Sequence, residues 1–364
     1  MINLILDRVD WNILNKYVDD ELIQVVKHPK YDLFLLIYTY HVKERNAWDL
    51  YTRSSRGLVI DGKGNIIARP FQKFNQFDKV DYSNIDISKG YEIFEKLDGS
   101  LGIVFYYGKE SEWIVTTKGG FCSMQADEAQ KMIGDRFKYL DTSYTYLFEI
   151  IFPENHIIID YGDMRDVVLL SAINRENGSE IDYSILHIDF ENIFTIVNKL
   201  TFLNVSTLME LKNLEIENKE GFVVKFNDEY RLKVKFKRYD ILHRIMKYIS
   251  KKEIWKSLKD TGNIDEAINN IPIELLQLGA FLNEFLKWGN EITSEFKNDF
   301  NKIKNQLNLE YNSIPSNLDR KEFATLVINS PNSKMLFRLY DGKSNDKLIW
   351  ESLKPKNNIN SFKF

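Results

Sequence analysis

Apolar residues recur along this chain in two different periods, and the change from one to the other divides it. Between about residues 56 and 240, short runs rich in β-branched and aromatic side chains are broken by Gly, Asp and Asn, the mark of strands joined by turns. RGLVID and NIIARPF flank Gly62-Lys63-Gly64 and predict a hairpin; LGIVFYY and EWIVTTK flank the polar turn from Gly108 to Ser111 and predict another. Further strands are expected at YLFEII, HIIIDY, VVLLSAI, GFVVKF and RLKVKFK. From about residue 244 the spacing turns helical. Phe281, Phe285 and Trp288, then Phe296, Phe300, Ile303 and Leu307, recur at three- and four-residue steps, and Thr293 or Ser294 is placed to cap the second of two helices, with Glu295 in its first turn. The expected fold class is α+β: a domain of mixed and antiparallel sheets with a few helices over residues 1–243, then an all-α domain over 244–364. The last dozen residues, rich in Asn and Lys, are the expected frayed end.

Composition narrows the class of protein. A chain of 364 residues that is 44% apolar can bury a substantial core in two domains. Its charged residues balance to −4, so no uniform positive field draws nucleic acid to it, and any phosphate binding must be local. Cys122 is the only cysteine, which excludes an intramolecular disulfide framework and a zinc site built on several thiolates; a reducing cytoplasm is expected, the host's if the protein is viral. Asp7, Arg8 and Asp10 interrupt the N-terminal apolar run and no basic segment precedes it, so no signal peptide is read there. No stretch approaches the roughly 20 apolar residues of a bilayer-crossing helix, and no membrane role is expected. His28, His41, His156, His187 and His243 show no metal-ligand spacing. Asp341-Gly342-Lys343-Ser344 ends like a phosphate-binding loop, but Phe337 stands where its first glycine belongs.

Three local patterns carry chemistry. Lys96-Leu97-Asp98-Gly99-Ser100 enters a tight polar turn directly after Ile93 and Phe94 and before LGIVFYY, a setting that holds a lysine at the lip of a sheet. By itself it fits a surface turn as well. In RLKVKFK a strand places Lys233, Lys235 and Lys237 on one face and Leu232, Val234 and Phe236 on the other, so the first face meets either phosphates or water. Glu149 lies inside Tyr146-Leu147-Phe148-Glu149-Ile150-Ile151-Phe152, where an ionised carboxylate needs a hydroxyl, a cation or a metal. A lysine ammonium is not a nucleophile near neutral pH, and neighbouring cations with a bound metal are expected to depress the pKa of Lys96.

Taken in order, these elements resemble the covalent nucleotidyltransferase superfamily of ligases and capping enzymes, and within it the phage-type RNA ligase 1 family. The resemblance implies a nucleotidyltransferase (ATP-grasp-like ligase) fold in which Lys96-Leu97-Asp98-Gly99 is motif I, Phe148-Glu149-Ile150 motif III, Glu220-Gly221-Phe222-Val223 motif IV and Lys233-Val234-Lys235 motif V. Ser55-Arg56-Gly57 is similar to the family's arginine-glycine element, Arg69-Pro70-Phe71-Gln72-Lys73-Phe74 to its lysine segment, and DYGDMRDVVLLSAINRENGSEI to its additional motif. The match runs over roughly residues 40 to 243, and its specificity lies in the ordered set. One position departs: where the family has a second aromatic after Lys73-Phe74, this chain has Asn75 and regains an aromatic only at Phe77.

The resemblance further implies an ATP-dependent RNA ligase that joins 5′-phosphate and 3′-hydroxyl RNA ends. Lys96 is the nucleophile that takes AMP from ATP, after which AMP passes to the RNA 5′-phosphate and a 3′-hydroxyl displaces it. Glu149 is assigned to the ATP ribose and Glu220 to Mg²⁺ or Mn²⁺ and the catalytic pocket. Arg56, Lys73, Lys233 and Lys235 are assigned to phosphate charge, and Lys118 resembles another family lysine. The helical C-terminal part resembles the one such ligases use to favour tRNA broken in the anticodon loop; an end-healing kinase-phosphatase is a candidate partner whose existence the sequence leaves open, and a monomer is expected. A DNA ligase or mRNA capping enzyme would continue into a strand-rich OB-fold after motif V, whereas this chain continues into amphipathic helices. A noncatalytic RNA-binding relative would have lost at least one motif residue.

Overall fold

The structure, a computed structural model, describes residues 5–80, 90–201, 208–227, 230–248, 250–265, 268 and 279–355. They form two compact units, Met1–Asp240 and Ile241–Phe364.

The first unit begins with α1 (Trp11–Asp19), whose N-terminal amides are capped by the Asp10 carboxylate. It buries Leu14 against Leu36, Leu58 and Ile60. Strands β1 (Ile23–Lys27) and β2 (Leu33–Tyr38) follow, then two one-turn helices, α2 (Tyr40–Glu44) and α3 (Leu50–Ser54), each started by a side-chain cap, Thr39 and Asp49. With β3 (Arg56–Asp61) and β4 (Ile66–Ala68) they complete a sheet of order β1-β2-β3-β4. The β3–β4 hairpin is the one expected around Gly62-Lys63-Gly64. The first two strands and their sheet were not expected; the apolar run LFLLIY has too little alternation to separate strand from helix.

The chain then makes β5 (Asn75–Gln76), β6 (Tyr91–Lys96), β7 (Ser100–Tyr107), β8 (Glu112–Thr117), α4 (Met124–Ile133), β9 (Tyr144–Ile151), β10 (Asp166–Asn174), α5 (Tyr183–Phe190), β11 (Thr195–Ile196), α6 (Leu208–Asn213), β12 (Gly221–Phe226) and β13 (Arg231–Lys235). Two more sheets result, β11-β10-β9-β7-β8 and β5-β13-β12-β6. On the five-stranded sheet, Ile103, Phe105 and Leu147 pack against Leu33, Leu35 and Val59 of the first sheet. Its opposite face buries Tyr146 and Phe148 against α4 and α5 through Ala126, Ile133, Leu186 and Phe190. Each such fully buried aromatic is worth about 1.5–3 kcal/mol of transfer free energy. Leu232, Val234 and Phe236 are buried with Phe222 and Val224, as the alternation in RLKVKFK predicts.

Three expectations fail in detail. HIIIDY is not a strand: Pro153 opens a single 3-10 turn, and the amides of Ile158 and Ile159 bind the Asp98 carboxylate instead of a neighbouring strand. Lys237 does not share the face of Lys233 and Lys235, because β13 stops at Lys235 and Lys237 opens helix α7 (Lys237–Tyr248), exposed. The helical part does not break at Thr293 or Ser294. Residues Gly279–Asn312 form one continuous helix, and the Ser294 hydroxyl bonds the Asn290 carbonyl one turn back, so it caps nothing.

The second unit is helical throughout its described residues: α8 (Lys251–Thr261), the long helix, and helices Arg320–Val327, Ser333–Tyr340 and Asp346–Ser352. Trp288 and Phe296 pack with Ile254, Leu258 and Ile292, Phe300 stacks on Trp350, and Leu307 joins Phe323, Val327 and Leu336. The side chains of Phe281 and Phe285 and the chain end from 356 lie outside the described residues. No described helix is long and apolar enough to cross a membrane.

Strand β12 is the hinge of the arrangement that follows. Its first residue, Gly221, pairs with Lys96 on β6 and with Lys235 on β13. Its φ is +146°, and a Cβ there would lie 2.0 Å from the Val234 carbonyl oxygen. Gly221→Ala is therefore expected to cost at least about 2 kcal/mol, from strained backbone and displaced ladder together. The midpoint of urea unfolding measures it; an unchanged midpoint would show that the strand start relaxes freely.

Candidate active site

Sheet register builds the centre of the site. Because Lys96, Gly221 and Lys235 stand side by side across three strands, Glu220, one residue before Gly221, reaches both lysines. Its Oε2 lies 2.7 Å from Lys96 Nζ and its Oε1 2.9 Å from Lys235 Nζ. The carboxylate is only 2% exposed, and a buried charge of that kind persists only with partners. The amide of Phe236 fixes the backbone by donating to the Glu220 carbonyl at 3.0 Å. Lys96 Nζ also donates to the Leu97 carbonyl at 3.3 Å.

The turn after Lys96 is tied down on two sides. The amide of Gly99 donates to Glu149 Oε1 at 2.9 Å, and a Cβ on Gly99 would come 2.5 Å from the Ile150 carbonyl oxygen, so only glycine lets the turn lie against β9. Asp98 is buried. Its Oδ2 accepts the amides of Ile158 at 2.9 Å and Ile159 at 3.0 Å, its Oδ1 accepts the Tyr239 hydroxyl at 2.6 Å, and its own amide donates to the Tyr161 hydroxyl at 2.8 Å. The Tyr239 ring also lies under Lys235 Nζ, 4.6 Å from the centroid. Tyr161 and Tyr239 are thus the residues that sequence reasoning missed. Tyr161 sits in the segment taken for a strand, and nothing in the spacing marks Tyr239 as reaching back to Asp98.

The remaining expected residues line the approach. Arg56, the first residue of β3, holds its guanidinium 5.6 Å over the Phe74 ring, and its buried Nη1 has no hydrogen-bond partner among the described residues. Lys73 donates its amide to the Arg53 carbonyl at 2.8 Å and its Nζ to the Phe74 carbonyl at 2.7 Å, with Nζ 5.2 Å over Trp48. Lys118 follows β8 directly, and Lys233 sits across the β5–β13 register from Gln76. The aromatic that departs from the family pattern, Phe77, is a core residue, 2% exposed, and Phe74 backs Arg56.

These groups are close enough to set one another's ionisation. Burial pushes Lys233 down to about 7, helped by the charges of Lys73, Lys96, Lys235 and Arg56. Burial and then Arg56, Arg53, Lys79 and Lys43 push Lys73 down to about 8. Lys118 and Arg56 are lowered chiefly by burial, Lys118 also by Arg56. Glu149 is raised by burial to about 7 against the opposing pull of Lys96 and the Gly99 amide. Lys96 goes the other way from the expectation of a depressed pKa. Burial lowers it, but the adjacent Glu220, then Glu149 and Asp98, outweigh burial and hold it above its ordinary value. In the ligand-free protein the three carboxylates govern Lys96 and the cations do not, because Glu220 is in direct contact.

The arrangement is a lysine–carboxylate–lysine bridge that keeps one net positive charge, beside cations that form no ion pair among the described residues, a setting for a polyanion. No group of three or more His, Cys, Asp and Glu residues that could hold a metal occurs among the described residues. A divalent cation there would depend on one or two carboxylates, with the rest of its oxygen ligands supplied by phosphate and water.

Comparison with known proteins agrees with the family resemblance. Residues 54–239 match a family model described as RNA ligase, of the phage kind. An RNA ligase of Thermovibrio ammonificans, so named provisionally, is 26% identical over 221 residues, 54% of this chain and 54% of that protein. An uncharacterized protein of Ostreid herpesvirus 1 is 28% identical over 156 residues, 39% of this chain and 38% of the other. The chain therefore spans about half or less of the length of these curated relatives. Among solved structures, a provisionally named ATP-dependent DNA ligase from Aquifex aeolicus aligns with a TM-score of 0.49 and 14% identity, covering 92% of this chain and 100% of that one, a likeness on which no argument is rested. With the family model covering β3 to β13, the bridge and the cations around it in one continuous match, the chain belongs to the phage-type RNA ligase family.

Proposed function

We propose that this protein is an ATP-dependent RNA ligase that works through a covalent lysyl-adenylate on Lys96. The observation that carries the reading is the Glu220 bridge between Lys96 and Lys235, set beside Arg56, Lys73, Lys118 and Lys233, cations without carboxylate partners among the described residues. The buried, unpartnered Nη1 of Arg56 fits an incoming phosphate oxygen. On this reading Lys96 Nζ first gives up a proton, for which Glu220 Oε2 at 2.7 Å is the adjacent acceptor. The lone pair then attacks the α-phosphorus of ATP; the N–P bond forms as the bond to pyrophosphate breaks. AMP passes to an RNA 5′-phosphate, and an RNA 3′-hydroxyl displaces it to seal the strand. Each step is an in-line displacement in which positioning and charge neutralisation do most of the work, so Lys233 and Lys235 serve the phosphate oxygens, and Arg56 and Lys73 the leaving charge. Glu149, titrating at about 7, is the residue we assign to the ribose. Mg²⁺ or Mn²⁺, held by Glu220 with phosphate and water, would neutralise phosphate charge and weaken the grip of Glu220 on Lys96.

Incubation with ATP labelled at the α-phosphate, followed by denaturation, should leave label on the polypeptide. Lys96→Ala should abolish it, and Lys235→Ala should reduce it at least about a hundredfold, an oxyanion-type loss. Persistent labelling of folded Lys96→Ala would remove Lys96 as nucleophile.

Affinity for ATP should fall as pH rises. Lys233 and Lys73 titrate at about 7 and about 8 in the free protein, and a bound polyphosphate favours their charged forms. Below pH 7 both are already protonated and binding takes up no proton from them. Above pH 8 binding must recharge them, at up to about tenfold in affinity per pH unit per lysine. A Kd measured from pH 6.5 to 9 that stays flat would contradict this.

We propose the helical second unit as the source of preference for tRNA broken in the anticodon loop, since RNA is recognised largely by shape and helices supply an extended surface. Residues 1–243 alone should still become adenylylated yet join linear and broken-tRNA substrates equally; the same preference in the full chain and the truncation would end this assignment.

A further inference from the structure

The cation cluster does not stop at the cleft. Lys73 stands at its outer edge, joined through its amide to the Arg53 carbonyl on α3 and through Nζ to the face of Trp48, 5.2 Å away. Trp48 is half-buried and braced edge-on by Tyr38 at 5.2 Å, which leaves part of its surface open in a defined orientation. The Ala47 amide donates to the Val42 carbonyl at 2.9 Å, folding the segment after α2 back on itself, and Lys43, near the end of α2, is exposed. On the other flank, β5 pairs with β13 at Lys233, and the single turn Phe77–Lys79 that follows carries Lys79, exposed, away from the cleft.

The carboxylates along this surface are already engaged. Asp49 caps α3 and accepts the Tyr17 hydroxyl at 2.5 Å, Glu44 meets His41 at 3.1 Å, and Asp78 pairs with Lys212. Lys43, Arg53, Lys73 and Lys79 make no ion pair among the described residues. Lys73 is lowered chiefly by burial and then by Arg56, with Arg53, Lys79 and Lys43 near enough to add to it. In a chain of net charge −4 this is a local concentration of positive potential, spread over three elements and interleaved with an indole.

We propose that Lys43, Arg53, Lys73 and Lys79, with Trp48 among them, form the docking surface for single-stranded RNA, leading its 5′-phosphate end to the lysine cleft. A positively charged track takes successive phosphates, and an aromatic face takes a base by stacking whatever its identity. A triphosphate or pyrophosphate has use for the cations but none for the indole, which is why the strand is the better occupant. The proposal rests on the ligase reading for its direction, but binding can be tested without catalysis.

The test measures anisotropy of a labelled, 5′-phosphorylated, 3′-blocked single-stranded RNA against the full chain without ATP, over a range of salt. In Lys43→Ala/Lys79→Ala, both positions exposed and free of structural bonds, two lost phosphate contacts should make the slope of log K against log salt shallower by about 1.4. Labelling by α-labelled ATP should be unchanged in that variant. Trp48→Leu should weaken RNA binding at least about fivefold. Affinity and salt slope identical to the parent in the double variant would overturn the proposal. So would normal RNA binding with reduced ATP labelling, which would give the surface to the triphosphate. Absence of any labelling in the parent protein would sink the ligase reading while leaving the RNA-binding result to stand or fall by itself.

Discussion

The buried carboxylate of Glu220 holds the site in its resting form. It has almost no contact with water, and Lys96 and Lys235 each give it a short ion pair, so it fixes both ammonium groups in space. This geometry depends on a backbone detail: three antiparallel neighbours whose register brings Lys96, Gly221 and Lys235 into one row, with a glycine in the middle because the Val234 carbonyl leaves no room for a side chain. A slip of one residue on any of the three strands would turn a lysine to the opposite face and leave the carboxylate unpaired.

The same contact sets the chemical state of the nucleophile candidate. Depression of a lysine pKa needs net positive surroundings or dry ones; Lys96 is dry but faces Glu220, Glu149 and Asp98, and the carboxylates prevail. Lys233 and Lys73 are lowered by burial first and then by the other cations they face. The cleft thus separates a compensated centre from an uncompensated rim. In the proposed reaction, arrival of a polyanion stabilises the rim first, and the resting lock on Lys96 is what must be released before attack.

Around this centre, Asp98 links parts of the chain distant in sequence. It joins the turn after Lys96, the loop after β9 and the start of α7, through two amides and a tyrosine hydroxyl. Tyr239 in turn lies under Lys235, so one ring supports both the motif I turn and a motif V lysine. Such a network ties the turn after Lys96 to two distant segments through matched donors and acceptors.

Much of this was legible from residue order. Period-two alternation placed the hairpins and the buried face of β13, because burial on one side of a sheet leaves a direct trace in sequence. The ordered motifs picked out Arg56, Lys73, Lys96, Lys118, Glu149, Glu220, Lys233 and Lys235, which the fold brings to one cleft. Tertiary structure alone decided the rest. It made HIIIDY a loop because a distant carboxylate takes its amides, ran one helix through Thr293 and Ser294 because Ser294 bonds within its own turn, and raised Lys96 because the nearest charge to it comes from a strand far along the chain. Local periodicity records which side of an element is buried, whereas ionisation and non-ladder hydrogen bonds are set by partners that only folding brings within a few ångströms.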